Sequence, residues 1–327
     1  MSGWFGRHRV AAGVAALVVV VLAGAGYVAW TVAARPDAPP ATAAAPGGGG
    51  LVFIDQRGGG STVTRRAPDG TTTATGLRCQ RVYQAGGTTL CLRLAGIGPR
   101  YEAAVLDAAG TELRVVPLPG TPSRARVSAD GRLVNWTVFV TGDSYLIPGQ
   151  FATRTGILDL RDGSLQESLE HYALTIDGRP YARADVNYWG VTFTEDNRAF
   201  YATVGSGGRT WLVRGDPVAR TATGVRENAE CPSLSPDNTR VAYKKRSGRL
   251  GAWQVHVLDL ATGVETPIPG TSTVDDQVAW LDDATLAYAK SAGDGAPPTI
   301  YTSRADGTGE PVALVSEASS PAPLPEG

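Results

Sequence analysis

The chain has 327 residues, with 30 basic and 31 acidic side chains and a formal net charge of −1. That balance excludes the basic excess expected of a nucleic-acid binder. Gly (41) and Pro (22) make up about a fifth of the chain, below the disordered or collagen-like range, and 43% hydrophobic residues are enough for a real core. The length suits two average domains or one large all-β domain. Only Lys244, Lys245 and Lys290 among the basic residues are lysines, which reads as the coding habit of a GC-rich genome.

Residues 1–9 carry Arg7, His8 and Arg9 and no acid, and residues 10–32 follow with 23 uncharged, mostly apolar positions. About 20 such residues span a bilayer as a helix, and positive charge before the span keeps that end in the cytoplasm. The prediction is a signal-anchor helix over 10–32, a cytoplasmic segment over 1–9, and a single-pass protein whose C-terminal part is extracytoplasmic. A cleaved signal peptide is the competing reading, with a small-residue signature at Val32-Ala33-Ala34. Its apolar region would be about 7–15 residues, shorter than this one. No Cys follows the span at which a lipid could be attached. Residues 33–50 are rich in Pro, Gly and Ala and read as a tether.

From Leu51 onward there are 27 basic and 30 acidic residues, and short apolar stretches alternate with Asp-Gly, Asp-Asn or Gly-Gly. These are strands joined by tight turns. One phrase, apolar residue, turn, then an apolar stretch ending in an aromatic, runs from Val127 to Trp136. It returns over Phe193–Tyr201, Leu234–Tyr243 and Trp280–Tyr288, with a degenerate copy over Val82–Leu92. A second phrase, strand then turn, occupies Val105–Gly110, Ile157–Gly163 and Val257–Gly263, with weaker copies at Leu212–Asp216 and Tyr301–Gly307. The spacing between first phrases is 66, 41 and 46 residues, and the 277 residues from Leu51 onward divide by six into about 46. Four short strands need about 40–45 residues, which is one propeller blade. The prediction is an all-β, six-bladed β-propeller of four-stranded antiparallel blades over 51–327. Leu51–Asp55 looks like a second strand with no first strand before it, and Ser319–Leu324 could supply that innermost strand. Two prolines there count against it, and a frayed terminus is the alternative.

Leu234-Ser-Pro-Asp-Asn238, Val241-Ala-Tyr243 and Val257-Leu-Asp-Leu-Ala-Thr-Gly263 resemble the blade repeat of the TolB propeller. Trp189–Phe193 and Val274–Trp280 are similar to segments of actinobacterial membrane-anchored TolB-like proteins. The resemblance covers roughly 51–320 and is strongest in blades four to six. It implies a fold and a binding habit. The separate N-terminal domain of TolB is missing, so TolB's role with a lipoprotein partner is not implied.

Of three cysteines, Cys79 and Cys91 flank the first turn of blade two and are a candidate disulfide, with two small core residues as the alternative. Cys231 reads as a lone buried thiol. His171 and His256 are the only histidines after the span and read as structural or exposed. Gly142-Asp143-Ser144 resembles the start of GDS-type esterases but lies mid-chain on the wrong fold, and no G-x-S-x-G elbow is present. No catalytic residues, metal cluster or cofactor are therefore expected. Asp282-Asp283 occupy a turn position, whereas Asp275-Asp276 precede the inner strand of blade six and could bind Ca²⁺ or a cationic ligand at the channel mouth.

Two insertions, 141–153 in blade three and 171–188 between blades three and four, are predicted to emerge side by side on the mouth face. They carry Tyr145, Tyr172, Arg179, Tyr181, Arg183, Asp185, Asn187 and Tyr188. Lys244 and Lys245, with Arg246 and Arg249, are placed in the equivalent loop of blade five, and Glu230, Asp275 and Asp276 at the starts of inner strands. Tyr and Arg are enriched in binding hot spots. The expectation is a non-catalytic binding or scaffold module for an envelope protein or glycan. A ligand or ion sensor at the channel mouth, or a carbohydrate-active enzyme, are the alternatives.

Overall fold

The computed structural model describes residues 17–24, 26, 50–96, 98–140, 152–247, 251–293 and 295–324. The chain divides into two units, Met1–Pro39 and Pro40–Gly327. In the first, residues 17–24 are helical. The rest of the expected 10–32 span, apart from residue 26, lies outside the described residues, and no helix among them is long and apolar enough to cross a membrane.

The second unit folds as six sheets, each built around four antiparallel strands, which are consecutive in the chain in every blade but the first. Blade two comprises Arg81–Ala85, Thr88–Leu94, Tyr101–Leu106 and Glu112–Leu118. Blade three comprises Thr121–Val127, Leu133–Val140, Ala152–Asp159 and Leu165–Gln166. Blade four comprises Asn187–Phe193, Phe200–Ser206, Arg209–Asp216 and Thr221–Glu227. Blade five comprises Glu230–Leu234, Arg240–Arg246, Trp253–Asp259 and Glu265–Pro267. Blade six comprises Ala279–Trp280, Thr285–Lys290, Thr299–Arg304 and Val312–Val315. Blade one is assembled from both ends: Gly50–Asp55, Thr62–Arg66 and Thr72–Arg78 take their innermost partner from Ala318–Leu324. That strand runs antiparallel to Gly50–Asp55, from Gly50 opposite Leu324 to Asp55 opposite Ala318. Its prolines are tolerated because it is the edge strand of its sheet, and Ser320 secures its inner side through its hydroxyl, which accepts from the Val82 N–H (3.1 Å) and donates to the Val82 carbonyl (3.0 Å).

The apolar runs are continuous because each sheet is covered on both faces. Successive residues point to opposite faces. Leu51 and Phe53 therefore pack against blade six, while Val52 and Ile54 pack against blade two. The same alternation sends Val241 and Tyr243 toward blade four and Ala242 toward blade six. Six apolar clusters result, one at each junction between neighbouring blades, including the junction of blade six with blade one. The ring is closed.

The turns between first and second strands, the Asp-Gly and Asp-Asn signatures of the sequence, form a belt on one face. Gly86 (φ +52°) abuts the turn of blade three so closely that a Cβ would lie 2.2 Å from the Asp130 carbonyl carbon. Asn197 donates to Asp130 (2.7 Å), the Glu195 N–H to Asn238 (3.0 Å), and the Asp237 N–H to Asp283 (3.0 Å). Each turn thus holds the next, from blade two to blade six.

Cys79 and Cys91 are joined by a disulfide. Cys79 precedes the inner strand of blade two, and the residue opposite Cys91 in the ladder is Val82. The bridge therefore ties the incoming chain to the second strand instead of crossing the hairpin.

Candidate functional site

The inner strands begin on the face opposite the turn belt, and there the axis is lined by charge. Glu230 is the first residue of its strand and lies opposite Lys244 in the ladder. Lys244 is almost fully buried, and its ammonium donates to Asp275 at Oδ1 (2.9 Å) and at the backbone carbonyl (3.1 Å). The Asp275 carboxylate itself is 91% exposed. Arg124, from the inner strand of blade three, reaches across to the same Asp275 carbonyl (2.6 Å) and lies 3.8 Å from the Asp276 carboxylate. Arg81, from blade two, donates to the Ser123 carbonyl (2.7 Å).

The electrostatics follow from burial and proximity. Burial pushes the Asp276 carboxyl up, but the Arg81 and Arg124 guanidiniums outweigh it and hold the group below the usual carboxylate range. Burial lowers the pKa of Arg81 against the pull of Asp276. Burial raises Glu230 in spite of Lys244 and Arg246.

Deeper in the channel, two side chains bridge the axis. Gln277 donates to the carbonyls of Pro232 (2.6 Å) and Val191 (3.3 Å), joining blade six to blades five and four. Arg126 donates to Ser233 Oγ (3.3 Å) and the Val278 carbonyl (3.2 Å), joining blade three to blades five and six, and its guanidinium covers the Tyr83 ring at 4.4 Å. The channel is plugged at this depth.

The mouth therefore unites Glu230, Lys244, Asp275 and Asp276 from the sequence-level expectation with Arg81 and Arg124, which that reading missed. Arg124 and Arg126 were detectable: two arginines at alternate positions of an inner strand share the face that turns to the axis. Their guanidiniums occupy the surroundings of Asp275-Asp276, which corrects the idea of a Ca²⁺ site there. Among the described residues no group of His, Cys, Asp and Glu could hold a metal ion.

The segment 171–188 also differs from the mouth-face insertion expected. Ala173–Ile176 pairs in parallel with the outer strand of blade four and turns back through Arg179–Pro180, extending that sheet to six strands. Tyr172, Leu174 and Ile176 are buried in the junction of blades three and four, and Tyr188, on the inner strand, is fully buried. The signal was present: Leu174 and Ile176 alternate before Asp177-Gly178, both at positive φ (51° and 71°), as a tight hairpin turn requires. Tyr181 donates to Ser206 Oγ (3.0 Å) and packs on Trp211, and Asn187 accepts from the Thr153 N–H (2.8 Å). Asp185 pairs with Arg183 (3.0 Å) and accepts from Ser206 Oγ and the Gly207 N–H, both at 2.7 Å. Arg179 is exposed on the short return strand. These residues brace the rim of blade four and do not converge with the mouth.

Lys244 and Lys245 lie on the second strand of blade five, which continues to Arg246, not in a loop. Alternation sends Lys245 the other way, to pair with Glu265 on the outer strand of its own blade. Tyr145 and the segment 141–151 lie outside the described residues, as does Arg249. His171 is exposed, and His256 stacks on Tyr243 with its Nδ1 buried and making no hydrogen bond among the described residues. Burial and the nearby Lys245 lower the His256 pKa.

No protein-family model matches the chain, and no curated protein matches it. Solved structures do. TolB from Acinetobacter baumannii superposes with a TM-score of 0.62 over 85% of this chain and 67% of its own, at 17% identity. Hydrazine synthase from Kuenenia stuttgartiensis gives 0.57 over 86% and 47%, at 8% identity. A chain of a nidogen–laminin complex gives 0.56 over 85% and 98%, at 11% identity. At such identities the shared property is the fold. The six radial sheets and the plugged axis define a six-bladed β-propeller with a charged channel mouth. Within that class the fold is TolB-like.

Proposed function

We propose that this chain is an extracytoplasmic propeller, held at a membrane by residues 10–32, that binds an envelope protein or glycan on its mouth face without catalysis. The observation that carries the reading is the plug. With Gln277 and Arg126 bridging the axis, a partner has no tunnel to enter and must be met at the rim. The rim offers charge already set in position: a buried ammonium and a buried guanidinium fix the backbone of Asp275 and leave its carboxylate in solvent. Such fixed, paired charge favours recognition, because it presents one charge pattern to a partner in a set geometry. The disulfide agrees with an oxidising compartment.

The test is affinity capture from envelope extract with the chain as bait, alongside Asp275→Arg and Glu195→Arg variants. Glu195 is exposed in the turn belt on the opposite face. A partner retained by the wild type and by Glu195→Arg, but lost with Asp275→Arg, is the expected result. A partner lost only with Glu195→Arg would move the site to the other face. Turnover of an envelope glycan by the purified chain would remove the non-catalytic reading.

A further inference from the structure

Just inside the mouth is a small cavity lined by Arg81, Arg124, Arg126, Tyr83, Asp276 and Ser320, among others. Its charge does not balance. Three guanidiniums face it and one carboxylate, and Asp276 is already shared between Arg81 and Arg124. Arg126 is only 4% exposed, yet its partners are a hydroxyl, a carbonyl and the Tyr83 ring, none of them charged. The Nε–H groups of both Arg124 and Arg126 are buried and make no hydrogen bond among the described residues. The remaining charges nearby, Lys244, Asp275 and Glu230, lie outside the lining. Lys244 and Asp275 pair with each other.

A buried donor without a partner and a buried cation without a counter-charge are both costly. A water molecule would satisfy the donors and leave the charge. We propose that the cavity is a binding site for one monovalent anion of halide size, held by Arg124 and Arg126 on the propeller axis. The innermost space is close to that of a single water molecule, which matches chloride or bromide in size. The anion joins blade three, which supplies both arginines, to the partners those arginines hold in blades five and six, and so tightens the plug. This inference is independent of the binding role proposed for the rim.

The test is thermal melting of the full chain at constant ionic strength, exchanging acetate for chloride. A saturable rise of about 3–5 °C by ten times the half-saturating chloride concentration is expected, with bromide equivalent and acetate and sulfate without effect. An Arg126→Met variant, which keeps the aliphatic stem, should lose the chloride response. Crystals of the full chain grown in bromide should show one anomalous peak between Arg124 and Arg126, a readout that stands even if the variant does not fold. Equal melting in acetate and chloride, a chloride response retained by Arg126→Met, or a water molecule and no bromide between the two arginines would each overturn the proposal.

Discussion

At the scale of single residues, Asp185 shows how a side chain read as a binding group turns out to be a brace. Its carboxylate accepts from Ser206 Oγ and the Gly207 N–H and pairs with Arg183, and these contacts hold its pKa down to about 2. A carboxyl lowered on folding contributes stability that is fully present above its unfolded value near 4 and is lost as pH falls toward 2. Asp185→Asn should therefore lower stability by about 1–2 kcal/mol at pH 7, after discounting for its partial exposure. The difference from wild type should shrink progressively between about pH 4 and pH 2. Urea denaturation at pH 7, 4 and 2.5 measures it, and a difference that does not change with pH would refute the account. The residue types of this region were legible, but their orientation was not. Tyr172 follows Glu170 and His171 in the sequence, and only the parallel pairing of Ala173–Ile176 with blade four buries it. Arg81 was missed for a similar reason: its importance depends on the convergence of the inner strands of blades two, three and six, which no local pattern encodes.

At the scale of elements, the repeat was readable because the same physical demand recurs in each blade. A tight turn needs Asp, Asn or Gly, and the strand after it is apolar because both its faces are covered. The turn residues proved to have a second task, since Asp130, Asn197, Asn238 and Asp283 also fasten neighbouring blades. The pairing of Cys79 with Cys91 acts at this scale too. The two positions are 12 apart in the sequence, so its removal should cost about 2–3 kcal/mol, chiefly through the freedom restored to the unfolded chain. A Cys79→Ala, Cys91→Ala double variant compared with wild type in urea would show it. A loss below about 0.5 kcal/mol would mean that blade two is held by packing alone.

At the scale of the whole molecule, stability is that of a ring. Each blade contributes to two apolar clusters, so none is dispensable. Deletion of 318–324 removes the inner strand of blade one, bares the edge of Gly50–Asp55, and strips Ala318 and Ala322 from the clusters on either side. The truncated chain should melt about 10 °C or more below wild type, or aggregate through the exposed edge. A synthetic peptide of residues 318–324 should restore part of the loss. Melting within about 2 °C of wild type would show that closure of the ring carries little of its stability.

The shared construction of blade one also sets a timetable for biosynthesis. The strand that first becomes available, Gly50–Asp55, waits for a partner more than 260 residues later in the chain. Until Ala318–Leu324 has emerged, five complete blades can form but the circle cannot close, whatever the pace of the ribosome. Closure of the ring is therefore one discrete event that comes only after residue 324 has been made. A message cut short anywhere before that strand would yield an open arc with an unprotected edge, a form that quality-control proteases can distinguish from the finished protein.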